Sequence, residues 1–219
     1  MHDFFKLDGP RFGPASGTAA ERLVILLHGL GADGNDLIGL APQMSAALPT
    51  ALFVAPNAPY PCDMAPFGFQ WFSLMDRSPE AILAGAQASA PILDGYIDDL
   101  LEETGLPAGQ TALVGFSQGT MMSLFVAPRR DTPVAGILGY SGMLVGAETF
   151  AADVRARSPV LLVHGDADEI VPVQCTPLVA KVLTDNGFEV ETMIRPGLPH
   201  GIDPAGIAAG VSFLKRVLG

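Results

Sequence analysis

Thr111-Ala112-Leu113-Val114-Gly115-Phe116-Ser117-Gln118-Gly119 joins an apolar run to a serine that is flanked by glycines, and it decides the fold. The run predicts a buried strand, and residues 120–127 predict a helix. A serine in so tight a turn takes strained backbone angles, and glycines two residues away on either side remove Cβ atoms that would clash. Such a turn holds a hydroxyl clear of the sheet edge at the start of a helix, so Ser117 is the candidate nucleophile.

A serine nucleophile needs a base and an acid that orients the base, and two later segments supply them. The strand-like residues 160–163 lead into Asp168, and the alternating residues 188–194 lead towards His200. Ser117, Asp168 and His200 therefore all follow predicted strands, which places them at one edge of a parallel sheet. Their order along the chain is the one expected of an α/β-hydrolase rather than of chymotrypsin or subtilisin.

The chain resembles the α/β-hydrolase superfamily, and within it the family of small carboxylesterases, lysophospholipases and acyl-protein thioesterases. The stretches that carry the resemblance follow the family's order: residues 27–34, 56–59, 71–72, 115–119, 164–172 and 197–200. The resemblance implies a compact hydrolase without a large cap domain that cleaves esters or thioesters of acyl chains. One departure lies beside the Trp71-Phe72 pair, where the family often has an acid and this chain has Ser73.

The apolar runs and the helical patterns alternate along the chain. Continuous Val, Ile and Leu runs are typical of parallel strands buried on both faces. Strands are predicted at residues 22–27, 51–54, 111–114, 134–138, 160–163 and 188–194, and helices at 36–48, 91–103, 173–186 and 204–218. This alternation predicts an α/β fold with a mostly parallel, doubly wound sheet and helices on both faces. Residues 56–79 show no periodicity and are predicted to form a long functional or mobile loop.

Composition sets the outer bounds on organisation and partners. A chain of 219 residues without linkers or repeats predicts a single domain over residues 1–219. The net charge of −11 repels phosphate backbones and anionic lipid surfaces, so we expect no nucleic-acid partner. Neither a spanning segment nor a signal pattern is evident, which predicts a cytoplasmic protein without stable membrane insertion. Cys62 and Cys175 are predicted to be reduced thiols, with one disulfide as the alternative. The sequence leaves a homodimer open.

The predicted function is hydrolysis of a small-molecule carboxylic ester through an acyl-enzyme on Ser117, with His200 as base and Asp168 as orienting acid. Hydrolysis of acyl-protein thioesters or lysophospholipids by the same three residues is the alternative. The backbone N–H of Gln118 is one predicted oxyanion donor, and the resemblance makes Leu30 the second. The resemblance also implies that Trp71 and Phe72 border the acyl site; the alternative is that they cap the core.

Several residues near these motifs admit another reading. Asp166 is the rival acid, whereas Asp168 matches the fifth position of the family's HGxxD turn. His28 and His164 are predicted to shape loops, and the close spacing of His164, Asp166 and Asp168 is not a recognised metal-ligand pattern, so neither a metal nor an organic cofactor is expected.

A different class of function is suggested by Gly29, Gly31 and Gly34, which form a literal GxGxxG behind a strand. That pattern would predict dinucleotide binding if an acid followed about 20 residues later to hold the ribose. The chain has Val54-Ala55-Pro56-Asn57 there, so this remains the remote alternative.

Overall fold

A computed structural model describes residues 7–219, which form a central sheet flanked by helices. Residues 1–6, which belong to the predicted domain and to the segment searched for a signal pattern, lie outside the described residues. The strands are β1 Arg11–Phe12, β2 Arg22–Leu27, β3 Ala51–Val54, β4 Tyr60–Pro61, β5 Phe69–Gln70, β6 Thr111–Phe116, β7 Gly136–Tyr140, β8 Val160–Gly165 and β9 Val190–Arg195. The helices are α1 Gly34–Ile38, α2 Ala41–Ser45, α3 Pro79–Thr104, α4 Gln118–Val126, α5 Phe150–Asp153, α6 Cys175–Asp185 and α7 Pro204–Leu218.

Seven strands form the main sheet in the order β1-β3-β2-β6-β7-β8-β9. Neighbouring strands run parallel except at one edge, where β1 pairs antiparallel with β3. Strands β4 and β5 pair separately as a small antiparallel ribbon. Because β6, β7, β8 and β9 pair in parallel, the loops that follow β6, β8 and β9 lie at the same carboxyl edge of the sheet.

Alternation along β2 shows how the two faces are covered. Leu23, Ile25 and Leu27 join the apolar core formed with α3, α4 and α6. Val24 and Leu26 face the opposite way, into the core formed with α1, α2 and α7. Strand β2 therefore buries both faces, as do β6, β7 and β8, which explains their continuous apolar sequences and confirms the predicted doubly wound sheet.

Some predicted boundaries are wrong for identifiable reasons. The helix predicted at residues 36–48 is two short helices, because Pro42 occupies the first turn of a new helix, where proline is tolerated. The helix predicted to start at Pro91 is the second half of α3, which begins at Pro79 behind the capping hydroxyl of Ser78. The strand predicted at 134–138 is β7, shifted by two residues. The strand predicted at 188–194 begins later, as β9.

Two smaller expectations can be placed in the described part of the chain. Cys62 and Cys175 are both free thiols. None of the helices described within residues 7–219 combines the length and the apolar character needed to cross a lipid bilayer.

Candidate active site

Ser117 occupies the turn between β6 and α4 in a strained backbone conformation, with φ 53° and ψ −114°. The neighbouring glycines are required sterically, because a Cβ on Gly115 would lie 2.4 Å from the nitrogen of Thr120, and one on Gly119 would lie 1.8 Å from the carbonyl oxygen of Leu27. The serine N–H also donates to the carbonyl of Tyr140 over 2.9 Å. The turn predicted from the sequence is present, and the main chain around it fixes its shape.

Asp168 lies in the loop after β8 and receives four hydrogen bonds. Its Oδ1 accepts from the backbone N–H groups of Ile170 and Val171, both over 2.9 Å. Its Oδ2 faces Nδ1 of His200 at 2.7 Å and Nε2 of His164 at 3.1 Å. Burial acts to raise the pKa of the Asp168 carboxyl, but the hydrogen bonds from His200, Val171 and Ile170 outweigh burial and hold the pKa below its ordinary value. The group beside His200 is therefore a carboxylate.

The rival acid, Asp166, has a different task. Its Oδ1 accepts from the backbone N–H of Gly197 over 2.6 Å, which ties the loop after β8 to the loop that carries His200. No hydrogen bond between Asp166 and His200 is present among residues 7–219. The geometry therefore favours Asp168 as the partner of the histidine.

His164 is fully buried behind Asp168. Its Nε2 faces Asp168 Oδ2 and also the carbonyl of Val171 at 2.9 Å. Since a carbonyl only accepts, Nε2 carries the ring proton, which leaves Nδ1 to accept from the hydroxyl of Thr176 over 2.8 Å. His164 thus shapes the acid loop and adds a donor to the carboxylate.

His200 and Ser117 line the same cavity, whose volume is about 290 Å³. The His200 ring packs on Phe116, the residue before the serine, with 4.8 Å between ring centroids. Within residues 7–219 no hydrogen bond joins the serine hydroxyl to the imidazole. Such contacts are often long in enzymes without substrate and tighten when substrate binds. The structure therefore brings the three predicted residues to one site, with the acid and the imidazole already joined.

The two residues predicted to supply the oxyanion donors line the same cavity as Ser117. Leu30, in the loop after β2, and Gln118, at the first position of α4, both line the cavity. Across the described residues neither backbone N–H donates to a protein acceptor, as expected for the first residue of a helix. Both residues therefore lie where the predicted oxyanion donors are expected, and their N–H groups have no acceptor in residues 7–219.

Trp71 and Phe72 do not line the catalytic cavity. Trp71 is 0% exposed and Phe72 is 2% exposed, so the structure places them in the core, as in the alternative weighed above, rather than at the acyl site. Their backbone holds the side chain of Gln118, whose Oε1 accepts from Trp71 N–H and whose Nε2 donates to Phe72 O, both over 2.8 Å. The backbone of the pair thus positions the start of α4, and the two side chains pack in the core. The flanking Ser73 is exposed.

His28 supports the loop that carries Leu30. Its Nε2 accepts from the backbone N–H of Ala58 over 2.9 Å, so the proton sits on Nδ1, which lies 2.7 Å from Gly29 O. Burial lowers the pKa of His28, in keeping with a neutral ring. The indole N–H of Trp71 donates to the His28 carbonyl over 3.1 Å. These hydrogen bonds join residues that are far apart in sequence. The sequence therefore indicated the individual residues but not the contacts between them.

Segment 56–79 is not structureless, because it contains β4 and β5. Gly31 N–H donates to Phe69 O over 2.8 Å, and Phe69 N–H donates to Ala32 O over the same distance. A Cβ on Gly68 would lie 2.1 Å from the carbonyl oxygen of Gly31. The segment therefore packs directly on the loop that carries Leu30.

The GxGxxG glycines have structural roles in this loop. Gly31 has φ +80°, and a Cβ on Gly34 would lie 2.0 Å from the carbonyl oxygen of Ala55. The helix that follows, α1, has five residues and is capped by the side chain of Asp33. These contacts account for the motif without a dinucleotide. No group of three His, Cys, Asp or Glu side chains within residues 7–219 is arranged to hold a metal ion.

Apolar side chains form most of the cavity wall around Ser117. They are Leu30, Leu74, Ile82, Phe116, Met121, Met143, Ile170, Val171 and Pro172. An apolar cavity with a few convergent polar groups is typical of a small-molecule site. Ile170, 70% exposed, stands at its margin, and Arg77 also lines it; sequence analysis identified neither, because nothing in their local patterns sets them apart.

Comparison with known proteins agrees with this geometry. A family model described as Phospholipase/Carboxylesterase matches residues 14–218. Acyl-protein thioesterase 1 of Schizosaccharomyces pombe is 31% identical over 207 residues, which cover 90% of this chain and 91% of the relative. Acyl-protein thioesterase 1 homolog 1 of Dictyostelium discoideum is 29% identical over 209 residues, with 92% of each chain covered.

A solved structure shares the fold closely. The crystal structure of esterase PE8 superposes with a TM-score of 0.93 at 42% identity, and the match covers 97% of this chain and 100% of that one. The family model spans nearly all of the sequence, and the relatives are esterases and acyl-protein thioesterases over nearly their full lengths. This chain therefore belongs to the phospholipase/carboxylesterase family of α/β-hydrolases, and it is a serine hydrolase that acts on esters.

Proposed function

We propose that this protein hydrolyses carboxylic esters through an acyl-enzyme on Ser117, with His200 as general base and Asp168 as the acid that orients it. The observation that carries the proposal is a strained serine sharing one apolar cavity with an imidazole whose Nδ1 lies 2.7 Å from a buried carboxylate. A carboxylate only accepts hydrogen bonds, so Nδ1 carries the proton and Nε2 is the basic nitrogen. That is the tautomer needed to take the serine proton.

In the first half of the reaction, His200 removes the proton from Ser117 as its oxygen attacks the ester carbonyl. The carbonyl oxygen becomes an anion, which accepts hydrogen bonds from the backbone N–H groups of Leu30 and Gln118. The imidazolium formed is stabilised by Asp168 and then donates its proton to the departing alkoxide. An alcohol leaves, and the acyl group stays on the serine.

In the second half, water takes the place of the alcohol. His200 removes a proton from the water as it attacks the acyl-enzyme, the same two N–H groups stabilise the second oxyanion, and the serine leaves with the returned proton. The apolar wall holds the chain next to the carbonyl and limits the water around it. The balance of the reaction is one ester and one water giving one acid and one alcohol.

Thioester hydrolysis on the same residues is the second candidate, and the acyl-protein thioesterase relatives favour it. A thiolate leaves more readily than an alkoxide, so the same base and oxyanion donors suffice. Lysophospholipid hydrolysis needs only a different alcohol in the leaving position. Rates for p-nitrophenyl esters of increasing acyl length, compared with one thioester and one lysophospholipid, rank these substrates.

The test of the proposed nucleophile is covalent labelling with a fluorophosphonate probe, followed by mass spectrometry of the labelled peptide. We expect one label on Ser117 in the intact protein and none after Ser117→Ala, with turnover lower by about 10⁶-fold. Ser141→Ala is a matched control, because Ser141 is also a buried serine with positive φ but does not line the cavity. Labelling that persists in Ser117→Ala, or an intact protein that takes no label, would refute the proposal.

We also propose that the protein is cytoplasmic and that it can form a homodimer. A cytoplasmic location is tested by cell fractionation with an antibody to the native chain. A homodimer is tested by light scattering of the purified protein over a range of concentrations. A small ester is the only substrate class that the proposed mechanism requires.

A further inference from the structure

Among the described residues that line the catalytic cavity, Arg77 is the one arginine or lysine, and no aspartate or glutamate lines it. It precedes the cap of α3, and its neighbours in the cavity wall include the apolar side chains of Leu74, Ile82 and Met143. An arginine presents up to five N–H donors in a planar fork that matches the oxygens of a carboxylate or phosphate. Arg77 is therefore a cationic side chain in a mostly apolar cavity wall, and the triad mechanism of ester hydrolysis gives it no role.

Within residues 7–219 the guanidinium of Arg77 has no hydrogen-bond or ion-pair partner. The other arginines all lie within residues 7–219, and each makes at least one hydrogen bond to a protein oxygen: Arg11, Arg22, Arg129, Arg130, Arg155, Arg157, Arg195 and Arg216. In that same part of the chain Arg77 makes neither a hydrogen bond nor an ion pair. The sequence holds 23 acidic against 12 basic residues, so partners are abundant, yet this side chain is exposed and its donors are free.

Arg77 also stands where two cavities meet. A neighbouring cavity of about 480 Å³ shares Arg77, Ile82 and Met143 with the catalytic cavity. A substrate whose carbonyl lies at Ser117 and whose body extends into the neighbouring cavity passes the guanidinium. Glu80 and Glu148 line that second cavity, and they disfavour anions deeper within it. The complementary ligand therefore has its negative charge at the junction.

We propose that Arg77 is a specificity-determining residue that binds a carboxylate or phosphate on the substrate. The preferred substrate is an ester with an apolar chain next to the carbonyl and one negative charge several bonds away. This inference rests on the proposed function, since it needs a reacting carbonyl at Ser117. It concerns the choice among esters and leaves the chemistry at the serine unchanged.

The test compares matched esters on matched variants. p-Nitrophenyl pentanoate is the neutral substrate, the mono-p-nitrophenyl ester of glutarate carries a terminal carboxylate in its place, and a third ester ends in a phosphonate. The measured quantity is the ratio of kcat/KM for each anionic ester to that for the neutral ester. Arg77→Gln removes the charge, Arg77→Lys keeps it, and Arg155→Gln makes the same charge change at a 65% exposed arginine that does not line the catalytic cavity.

We expect Arg77→Gln to lower the ratio roughly 3- to 10-fold, the range of an exposed ion pair strengthened by hydrogen bonds. Arg77→Lys should retain most of the ratio and Arg155→Gln all of it, and 0.5 M salt should reduce the wild-type ratio because the pair is accessible to ions. A preference confined to one of the two anionic esters identifies the anion and supports the proposal.

An unchanged ratio in Arg77→Gln, or an equal fall in Arg155→Gln, would overturn the assignment. Failure of the underlying function is separate, because the wild-type protein would then not hydrolyse the neutral ester. The thermal midpoint of each variant is measured alongside. Since Arg77 makes no hydrogen bond or ion pair with the described part of the chain, a loss of folding would itself contradict the structure on which the proposal stands.

Discussion

The serine and the histidine of the proposed triad are held in place by different kinds of contact. Ser117 follows β6, a strand buried on both faces in the middle of the sheet, and backbone atoms of other segments press against the glycines of its turn. His200 follows β9, an edge strand whose residues are half-buried or exposed. Its loop is held by hydrogen bonds: the carboxylates of Asp166 and Asp168 accept from Gly197 N–H and from the His200 ring, and Ala167 N–H donates to Leu198 O.

This difference predicts how each region fails. Where main-chain contact fixes the geometry, one added carbon atom is enough to displace it, and the cost falls on folding because the turn is continuous with the core. Where side-chain hydrogen bonds fix it, a change of charge without a change of shape disables the site and spares most of the fold. Steric contact thus fixes the geometry of the serine turn, whereas hydrogen bonds fix the geometry of the loop around His200.

Gly119→Ala should produce the largest effect. The new Cβ would lie 1.8 Å from the carbonyl oxygen of Leu27, a main-chain atom of β2 that cannot move without disturbing the sheet. We expect a loss of roughly 3 kcal/mol or more in the free energy of unfolding, measured by urea denaturation, or failure to fold.

Gly95→Ala is the matched control for that substitution. Gly95 lies inside α3, and nothing lies within 4 Å of the position that its Cβ would take. The same change should therefore stabilise the protein by roughly 0.5–1 kcal/mol, because alanine favours the helix. A Gly119→Ala protein as stable as the Gly95→Ala protein would show that backbone contact does not fix the serine turn.

Asp168→Asn should follow in size and act mainly on activity. The amide keeps the shape of the side chain but cannot accept from every donor that surrounds it, so the His200 tautomer is no longer enforced. We expect kcat to fall about 10⁴-fold, as when a triad acid is neutralised in chymotrypsin, with a cost of about 1–3 kcal/mol in stability.

Asp166→Asn separates the two acids in this loop. Its amide oxygen can still accept from Gly197 N–H, so we expect activity within about threefold of wild type, since an exposed neutral hydrogen bond contributes little. Steady-state rates of both variants on one ester, with their melting temperatures, provide the comparison. Equal losses in the two variants would mean that loop order, rather than the charge beside His200, matters.

The same contrast explains what the sequence predicted. Ser117 was identified because the steric requirements of its turn produce a local sequence pattern, namely glycines at 115 and 119 between a strand and a helix. Asp168 was identified because it follows a continuous apolar run, which is typical of a strand buried on both faces, and His200 because it follows an alternating, strand-like run. Loops that follow parallel strands meet at one edge of the sheet. The start of α3 was missed because Pro91 resembles a helix start, whereas the packing of its buried residues carries the helix through it.

The hydrogen bonds that support the loop carrying Leu30 produce no comparable pattern in the sequence. Gln118 reaches the backbone of Trp71 and Phe72, and His28 accepts from Ala58, contacts that span 47, 46 and 30 residues. Each is a hydrogen bond between a side chain and a peptide group, and such bonds impose no periodicity on the sequence. The resemblance placed Trp71 and Phe72 beside the acyl site with core packing as the alternative, and their burial, which depends on packing between distant segments, agrees with the alternative.

The two histidines should also differ in what acid does to them, and this is the smallest of the expected effects. His28 is buried with a lowered pKa, so below about pH 6.5 the unfolded chain takes up a proton that the folded protein refuses. Its contribution to stability is therefore complete above that pH and declines as the pH falls. His200, by contrast, is partly exposed.

We therefore expect the free energy of unfolding to fall by on the order of 1 kcal/mol between pH 7.5 and 5.5, measured by urea denaturation, and to fall less in His28→Gln. Glutamine can accept from Ala58 N–H without titrating. The test is therefore the slope of the free energy of unfolding against pH, and not the absolute stability of the variant. The difference between the two slopes isolates the contribution of His28. An identical slope in the two proteins would mean that His28 accepts a proton in the folded state, and the buried side of the site would then respond to acid as the exposed side does.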